Sequence, residues 1–281
     1  MKIGCSTYSF RNEWGKAYQW NLESFKALKQ KYPEIEGWEV NQELAEKILP
    51  DFETKYLKEL KAALNGAGFE WFALCGPSGS FGANSVPHYS GDEEYLKGFQ
   101  RDAEFRLGFG SDFIENAAAV GVKFMRIDFA PFVMDHKIPY SSALDFNVDR
   151  NAETYRELCS MAAEYGIQIG IENHGGFASD LKVLDKIFEK VPNLKFYLDS
   201  GNVMDKNRYI MAEKYADRIH YAHAKAHVFK ANGEEQNIDY GKIIGILKDK
   251  GFDGWLSIEW EGPLPGDEGV RKSIDLIKKY I

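Results

Sequence analysis

The run Asn151–His174, NAETYRELCSMAAEYGIQIGIENH, decides how the chain is read. Its first part, Asn151–Tyr165, is helical in pattern. Gly166 interrupts it, and Gln168–Glu172 follows as a short β-rich run that ends on an acid. A helix feeding a strand through a single glycine is the repeating unit of an α/β protein. The unit recurs downstream: Lys182–Lys190 leads to Leu194–Asp199, Arg208–Ala216 to His220–Lys225, Tyr240–Lys250 to Trp255–Trp260, and Val270–Tyr280 closes the series. Upstream, strand-like Lys2–Ser6, Ile35–Val40, Glu70–Cys75 and Lys123–Ile127 alternate with helical segments. Asn21–Tyr32 places Leu22, Phe25 and Leu28 on one face; Phe52–Leu64 does so with Phe52, Tyr56, Leu57, Leu60 and Leu64; a further helix ends near Val120. Eight strand–helix units in strict order predict parallel strands joined by right-handed crossovers. At 281 residues they fit one closed (β/α)₈ barrel, whose usual size is about 250 residues. The competing open doubly wound sheet needs a glycine-rich loop after its first strand, where this chain has Thr7-Tyr8-Ser9-Phe10-Arg11.

Composition agrees with one globular domain over residues 1–281. Apolar residues make up 44% and no composition shift marks an interior boundary. With 35 Lys and Arg against 43 Asp and Glu, the net charge of −8 argues against nucleic acid as a partner, because phosphate binding needs a basic face. Cys5, Cys75 and Cys159 form no paired framework, so a reducing, cytoplasmic setting is expected. The opening residues lack an apolar secretory core. The longest stretch without Asp, Glu, Lys or Arg, Trp71–Gly91, holds Pro77 and Pro87 and reads as strand into loop rather than a membrane span. Three loops after strands are long: Gly76–Gly91, Ala130–Asn147 and His227–Asn237. In a barrel they share the C-terminal face, as substrate covers or as contacts between subunits.

The last four strands each end on an ionisable side chain: Glu172, Asp199, His223 and Glu259. Singly, such residues are ordinary salt-bridge, turn or core groups. On four neighbouring strands they converge on one rim, and three carboxylates with one imidazole suit a divalent ion such as Mn²⁺, Mg²⁺, Co²⁺ or Zn²⁺. Without a cation, three carboxylates around one mouth repel each other and lose hydration.

The segments Ile171-Glu172-Asn173-His174, Leu198-Asp199-Ser200-Gly201-Asn202, His220-Tyr221-Ala222-His223-Ala224-Lys225 and Ser257-Ile258-Glu259 resemble the xylose-isomerase-like TIM-barrel superfamily. That superfamily contains sugar isomerases and epimerases, inosose dehydratases and endonuclease IV. The resemblance covers essentially the whole chain and implies that Glu172, Asp199, His223 and Glu259 are metal ligands, with Mn²⁺ the favoured ion. It further implies that Glu172 and Glu259 act as acid and base on opposite faces of a sugar or sugar-derived ketone, next to a metal-bound carbonyl, and that the protein forms a dimer or tetramer. Asn202 and Ala226 stand where many members carry His and Asp. With six histidines in all, the three-zinc site of endonuclease IV cannot be completed.

The alternative chemistry is elimination, a lyase or dehydratase reaction on the same activated substrate. His174, two residues after Glu172, is then an extra acid or base; otherwise alternation turns it to the helix layer, or it supports a ligand. Lys225 reads as a substrate contact or as a salt bridge to Glu172 or Glu259. Arg126, Asp128 and Glu39 read as interior ion pairs or substrate contacts, and Asn202 and His227 as hydroxyl binders. Tyr8, Phe10, Trp71, Phe81 and Trp260 are stacking platforms or core. A barrel that only binds a sugar is the third expectation.

Overall fold

The structure is a computed structural model that describes residues 1–42, 54–76, 107–108, 110–129, 139–203 and 206–281. Phe52, Phe81, most of Gly76–Gly91 and residues 130–138 therefore lie outside the described residues. Eight strands follow the expected order: β1 (Lys2–Ser6), β2 (Gly37–Asn41), β3 (Glu70–Cys75), β4 (Phe124–Arg126), β5 (Gln168–Glu172), β6 (Lys195–Asp199), β7 (Ile219–Ala226) and β8 (Trp255–Trp260). All neighbours pair in parallel, and β8 returns to β1 to close the barrel.

Between them run α1 (Leu22–Lys31), α2 (Thr54–Gly66), α3 (110–119), α4 (Tyr140–Glu164), α5 (Gly175–Ala178), α6 (Leu181–Lys190), α7 (Asn207–Lys214), α8 (Tyr240–Asp249) and α9 (Gly266–Lys278). Their starts are chemically marked. Asn21, Asp180 and Asp239 accept backbone N–H bonds at the first turns of α1, α6 and α8, which satisfies otherwise orphaned donors. α6 turns Val183, Leu184, Ile187 and Phe188 inward at helical spacing.

One element corrects the sequence reading. α4 begins at Tyr140, so residues 140–147 of the expected Ala130–Asn147 loop are helical. Ser, Asp and Asn in this stretch resemble loop chemistry because they compete for backbone groups. Here Asn147 and Asn151 are buried, and each Nδ2 donates to a carbonyl one turn earlier, Ala143 at 2.7 Å and Asn147 at 2.8 Å.

Two apolar layers result. The outer one packs strands against helices and contains Phe10, Trp71 and Trp260, each at most 1% exposed, so these three are core and not sugar platforms. The inner one lies inside the barrel: Phe72 stacks on Trp255 at 4.3 Å and Tyr197 on Tyr221 at 4.2 Å. Glycines on the strands make room for these rings. A Cβ on Gly4 would sit 2.6 Å from the Phe72 ring, and one on Gly170 2.8 Å from Tyr197. The candidate functional side chains stand above this floor of rings.

Candidate functional site

Alternation along each strand sends every second side chain into the barrel. In the uppermost layer these are Ser6, Glu39, Cys75, Arg126, Glu172, Asp199, His223 and Glu259, and all are buried. Register brings neighbours level: Ser6 pairs with Glu39, Asp199 with His223 and Lys225 with Glu259.

The strand ends are locked sideways before any ligand arrives. Buried Asn173 donates from Nδ2 to the Asp199 carbonyl at 2.9 Å and accepts the Asp199 N–H at 2.7 Å. Ser200 Oγ donates to the His223 carbonyl at 2.9 Å. Ser9 Oγ donates to Ile258 and accepts from Trp260 N–H, which fixes the end of β8. Asp199 Oδ1 accepts the N–H groups of Gly201 and Asn202 at 2.6 and 2.8 Å, leaving Oδ2 to face the barrel axis.

Glu172, Asp199, His223 and Glu259 meet there. One potential ligand atom from each lies within 4.8 Å of all the others. His223 Nδ1 faces three carboxylate oxygens at once: Glu172 Oε1 at 2.8 Å, Asp199 Oδ2 at 3.3 Å and Glu259 Oε2 at 3.3 Å. One N–H cannot serve three acceptors. The opposite ring nitrogen, Nε2, lies 2.7 Å from Glu39 Oε2.

Charge sharpens the point. Glu39, Asp128, Glu172, Asp199 and Glu259 are all buried at this end of the barrel, against the two permanent cations Arg126 and Lys225. Arg126 Nη1 donates to Glu172 Oε2 at 2.6 Å, with its Nε 3.4 Å from Asp128. Lys225 Nζ lies 3.1 Å from Asp199, 3.0 Å from Glu259 and 3.1 Å from Glu261, and donates to Asn202 Oδ1 at 2.8 Å. Burial pushes the Glu172 carboxyl up, only partly opposed by Arg126 and His223. For Glu259 burial is outweighed by the charges of His223 and Lys225, which hold it well below the usual carboxylate range. His223 resists the desolvation that burial imposes, because Glu259, Glu39 and Glu172 favour its cation. Hard oxygen donors and one imidazole, crowded with excess negative charge, fit a divalent cation.

A cavity of about 130 Å³ opens onto this cluster, lined by Tyr8, Asn41, Arg126, Glu172, His174, Lys225, Glu259 and Glu261. That is below the roughly 300–1,000 Å³ of drug-sized pockets, so its described part suits a small ligand. His174 follows β5 and turns to the cavity, with Nδ1 3.1 Å from Asp128 Oδ2; this contact raises its pKa. Asn202 meets Lys225 rather than the cavity, and half-buried His227 pairs with Glu261 at 3.6 Å. Glu261, two residues beyond Glu259 on the same face, was not singled out from sequence, although its spacing marks it. Asn173 and Cys75 carried no such signal.

The fold, a closed parallel barrel with acids and a histidine at its C-terminal mouth, defines the class. The chain belongs to the xylose isomerase-like TIM barrel family, whose description matches residues 31–280. Among solved structures it is similar to D-psicose 3-epimerase of Clostridium cellulolyticum H10, crystallised with D-tagatose: 16% identity, 100% of this chain and 99% of that one covered, TM-score 0.67. It is likewise similar to an IolI protein with a bound zinc atom, at 18% identity, 100% and 99% coverage and a TM-score of 0.66. At these identities the likeness is one of fold. A shorter likeness, 39% identity over 62 residues, joins it to the alpha subunit of the C-glycoside deglycosidase of Arthrobacter globiformis, covering 22% of this chain and 18% of that one. The matches span about half or less of the curated relatives' own length. No helix among the described residues is long and apolar enough to cross a membrane.

Proposed function

We propose that this protein is a divalent-metal-dependent sugar isomerase or epimerase, acting through residues 1–281 as one domain on a keto-sugar or polyol-derived ketone. The observation that supports it most is the four-sided set of Glu172, Asp199, His223 and Glu259, in which one imidazole nitrogen faces three carboxylates. These four residues would hold the ion, with Mn²⁺ favoured over Mg²⁺, Co²⁺ and Zn²⁺. When bound, the ion polarises a carbonyl and the neighbouring hydroxyl of the substrate. Glu172 from β5 and Glu259 from β8 border the same cavity. One takes the proton from the carbon beside the carbonyl, and the other delivers a proton to the opposite face or to the neighbouring carbon. Arg126 steadies the Glu172 carboxylate, Lys225 steadies Glu259 and Asp199, and Tyr8 borders the substrate space. The net charge of −8 agrees with a small-molecule partner rather than nucleic acid, in a cytoplasmic dimer or tetramer.

A second reading, β-elimination, draws on His174 at the cavity and on the likeness to a protein named for removing a C-linked aglycone. Incubating ketoses and 3-keto-glycosides with the protein and Mn²⁺ in D₂O separates the two. Deuterium beside the carbonyl with every substituent retained supports epimerisation or isomerisation; loss of water or aglycone supports elimination. The metal itself is tested first. At an ion concentration about a hundredfold above Kd, binding adds about 2.7 kcal/mol of stability, read as a rise in Tm over chelator-treated protein. No rise, with no metal by elemental analysis, sinks both readings.

A further inference from the structure

We infer that Glu39 is a positioning residue that selects the metal-binding nitrogen of His223: it accepts the ring's Nε2–H from behind and so leaves Nδ1 as the ligand. The inference rests on the metal-site reading above and adds a residue from the opposite half of the barrel to it.

Three observations carry it. His223 Nε2 lies 2.7 Å from Glu39 Oε2, and both side chains are 1% exposed. The three candidate ligand carboxylates, Glu172, Asp199 and Glu259, all approach the opposite edge of the ring, at Nδ1. Glu39 is itself fastened: its second oxygen, Oε1, accepts from Ser6 Oγ at 3.2 Å and from the Cys75 thiol at 3.0 Å, and Cys75 Sγ lies 3.3 Å from Tyr221 Oη. The carboxylate is therefore held from β1, β3 and β7 together. An ionised carboxylate only accepts hydrogen bonds, so both ring nitrogens face acceptors; with a cation held among Glu172, Asp199 and Glu259, the single proton of a neutral imidazole falls on Nε2, against Glu39. The lone pair is then on Nδ1, among Glu172, Asp199 and Glu259. Partners of this kind orient the ring and raise its basicity toward a metal, and losing one costs about 10–100-fold in metal affinity.

Glu39, Cys75 and His223 also bring potential ligand atoms within 4.8 Å of one another, which makes a second ion on Glu39 the rival explanation. The test compares chelator-stripped wild type with Glu39→Gln and Glu39→Asp by calorimetric titration of Mn²⁺. Expected are one ion per chain throughout, affinity about 10–100-fold weaker in Glu39→Gln, and a partial return in Glu39→Asp. Two ions in wild type, falling to one in Glu39→Gln, overturn the inference in favour of a ligand role. Unchanged affinity in Glu39→Gln also overturns it while leaving the metal site standing. Wild type that binds no divalent ion overturns the functional reading first. Because a variant can fail by misfolding, a second readout uses wild type alone. Long-range ¹H–¹⁵N spectra of the ¹⁵N-histidine-labelled Zn²⁺ form should show His223 protonated at Nε2 and metallated at Nδ1; metal on Nε2 refutes the inference.

Discussion

The two halves of the barrel end in different chemistry. Strands β5–β8 deliver Glu172, Asp199, His223 and Glu259, the residues that can hold a cation. Strands β1–β4 deliver Ser6, Glu39, Cys75 and Arg126, none of which belongs to that four-membered set, yet three of them bear on it through Glu39 and the fourth grips Glu172 directly. One half is the jaw and the other the brace. The difference teaches that a buried acidic centre needs a second set of residues whose work is to hold the first in register, because each carboxylate left unpaired would swing, protonate or draw in water.

The comparison can be pressed in three places. The largest effect is expected in the jaw. Glu259→Gln, and separately Glu172→Gln, should lower kcat by about 10²–10⁴ while at least one of the two still binds metal. Intact turnover in both would leave a sugar-binding barrel and no catalyst. Next comes the brace. Arg126→Met strips the partner from Glu172 Oε2 and the nearest permanent cation from Asp128, and breaking a buried pair costs about 3–5 kcal/mol. Urea unfolding of metal-free protein measures it, and a loss below 1 kcal/mol would mean the first half braces nothing.

The smallest effect lies on the outer seam where the halves meet. Asp267, in the first turn of α9, accepts from Tyr18 Oη at 2.7 Å and Tyr32 Oη at 2.6 Å and pairs with Lys31 at 2.7 Å. Asp267→Ala should cost about 1–3 kcal/mol at neutral pH. Partial burial opposes the charge on Asp267, but Lys31 and the two tyrosines overcome it and hold the carboxyl below its usual value. Its stabilisation is therefore complete above the ordinary aspartate range of about 3.9 and is lost as pH falls through the lowered folded value. The gap between wild type and variant should narrow in acid; a gap that widens there contradicts the assignment.

The same division explains what the sequence makes visible. In the second half each acid or histidine sits at the end of an apolar run, as in Ile169-Gly170-Ile171-Glu172 and Phe196-Tyr197-Leu198-Asp199, so strand and candidate ligand are read in one pass. In the first half Glu39 lies within Gly37-Trp38-Glu39-Val40-Asn41, and nothing local says that its partner is a histidine 184 positions away. The barrel is legible because alternation of strand and helix is local. Of its braces, Glu39 and Arg126 are legible as interior charges, but their partners are not, because contacts across a closed sheet depend on register. Residues 140–147 were misread for a related reason: buried asparagines that bond back along α4 have the composition of a loop and the environment of a core.

The floor of rings beneath the site bears on kinetics. Among the described residues, Phe72, Tyr197, Tyr221 and Trp255 fill the barrel below the cavity, so a ligand has no passage through the barrel floor. A chamber closed from below cannot take substrate in at one end while product leaves at the other. Under the proposed isomerase or epimerase reading, product should therefore act as a competitive inhibitor of substrate.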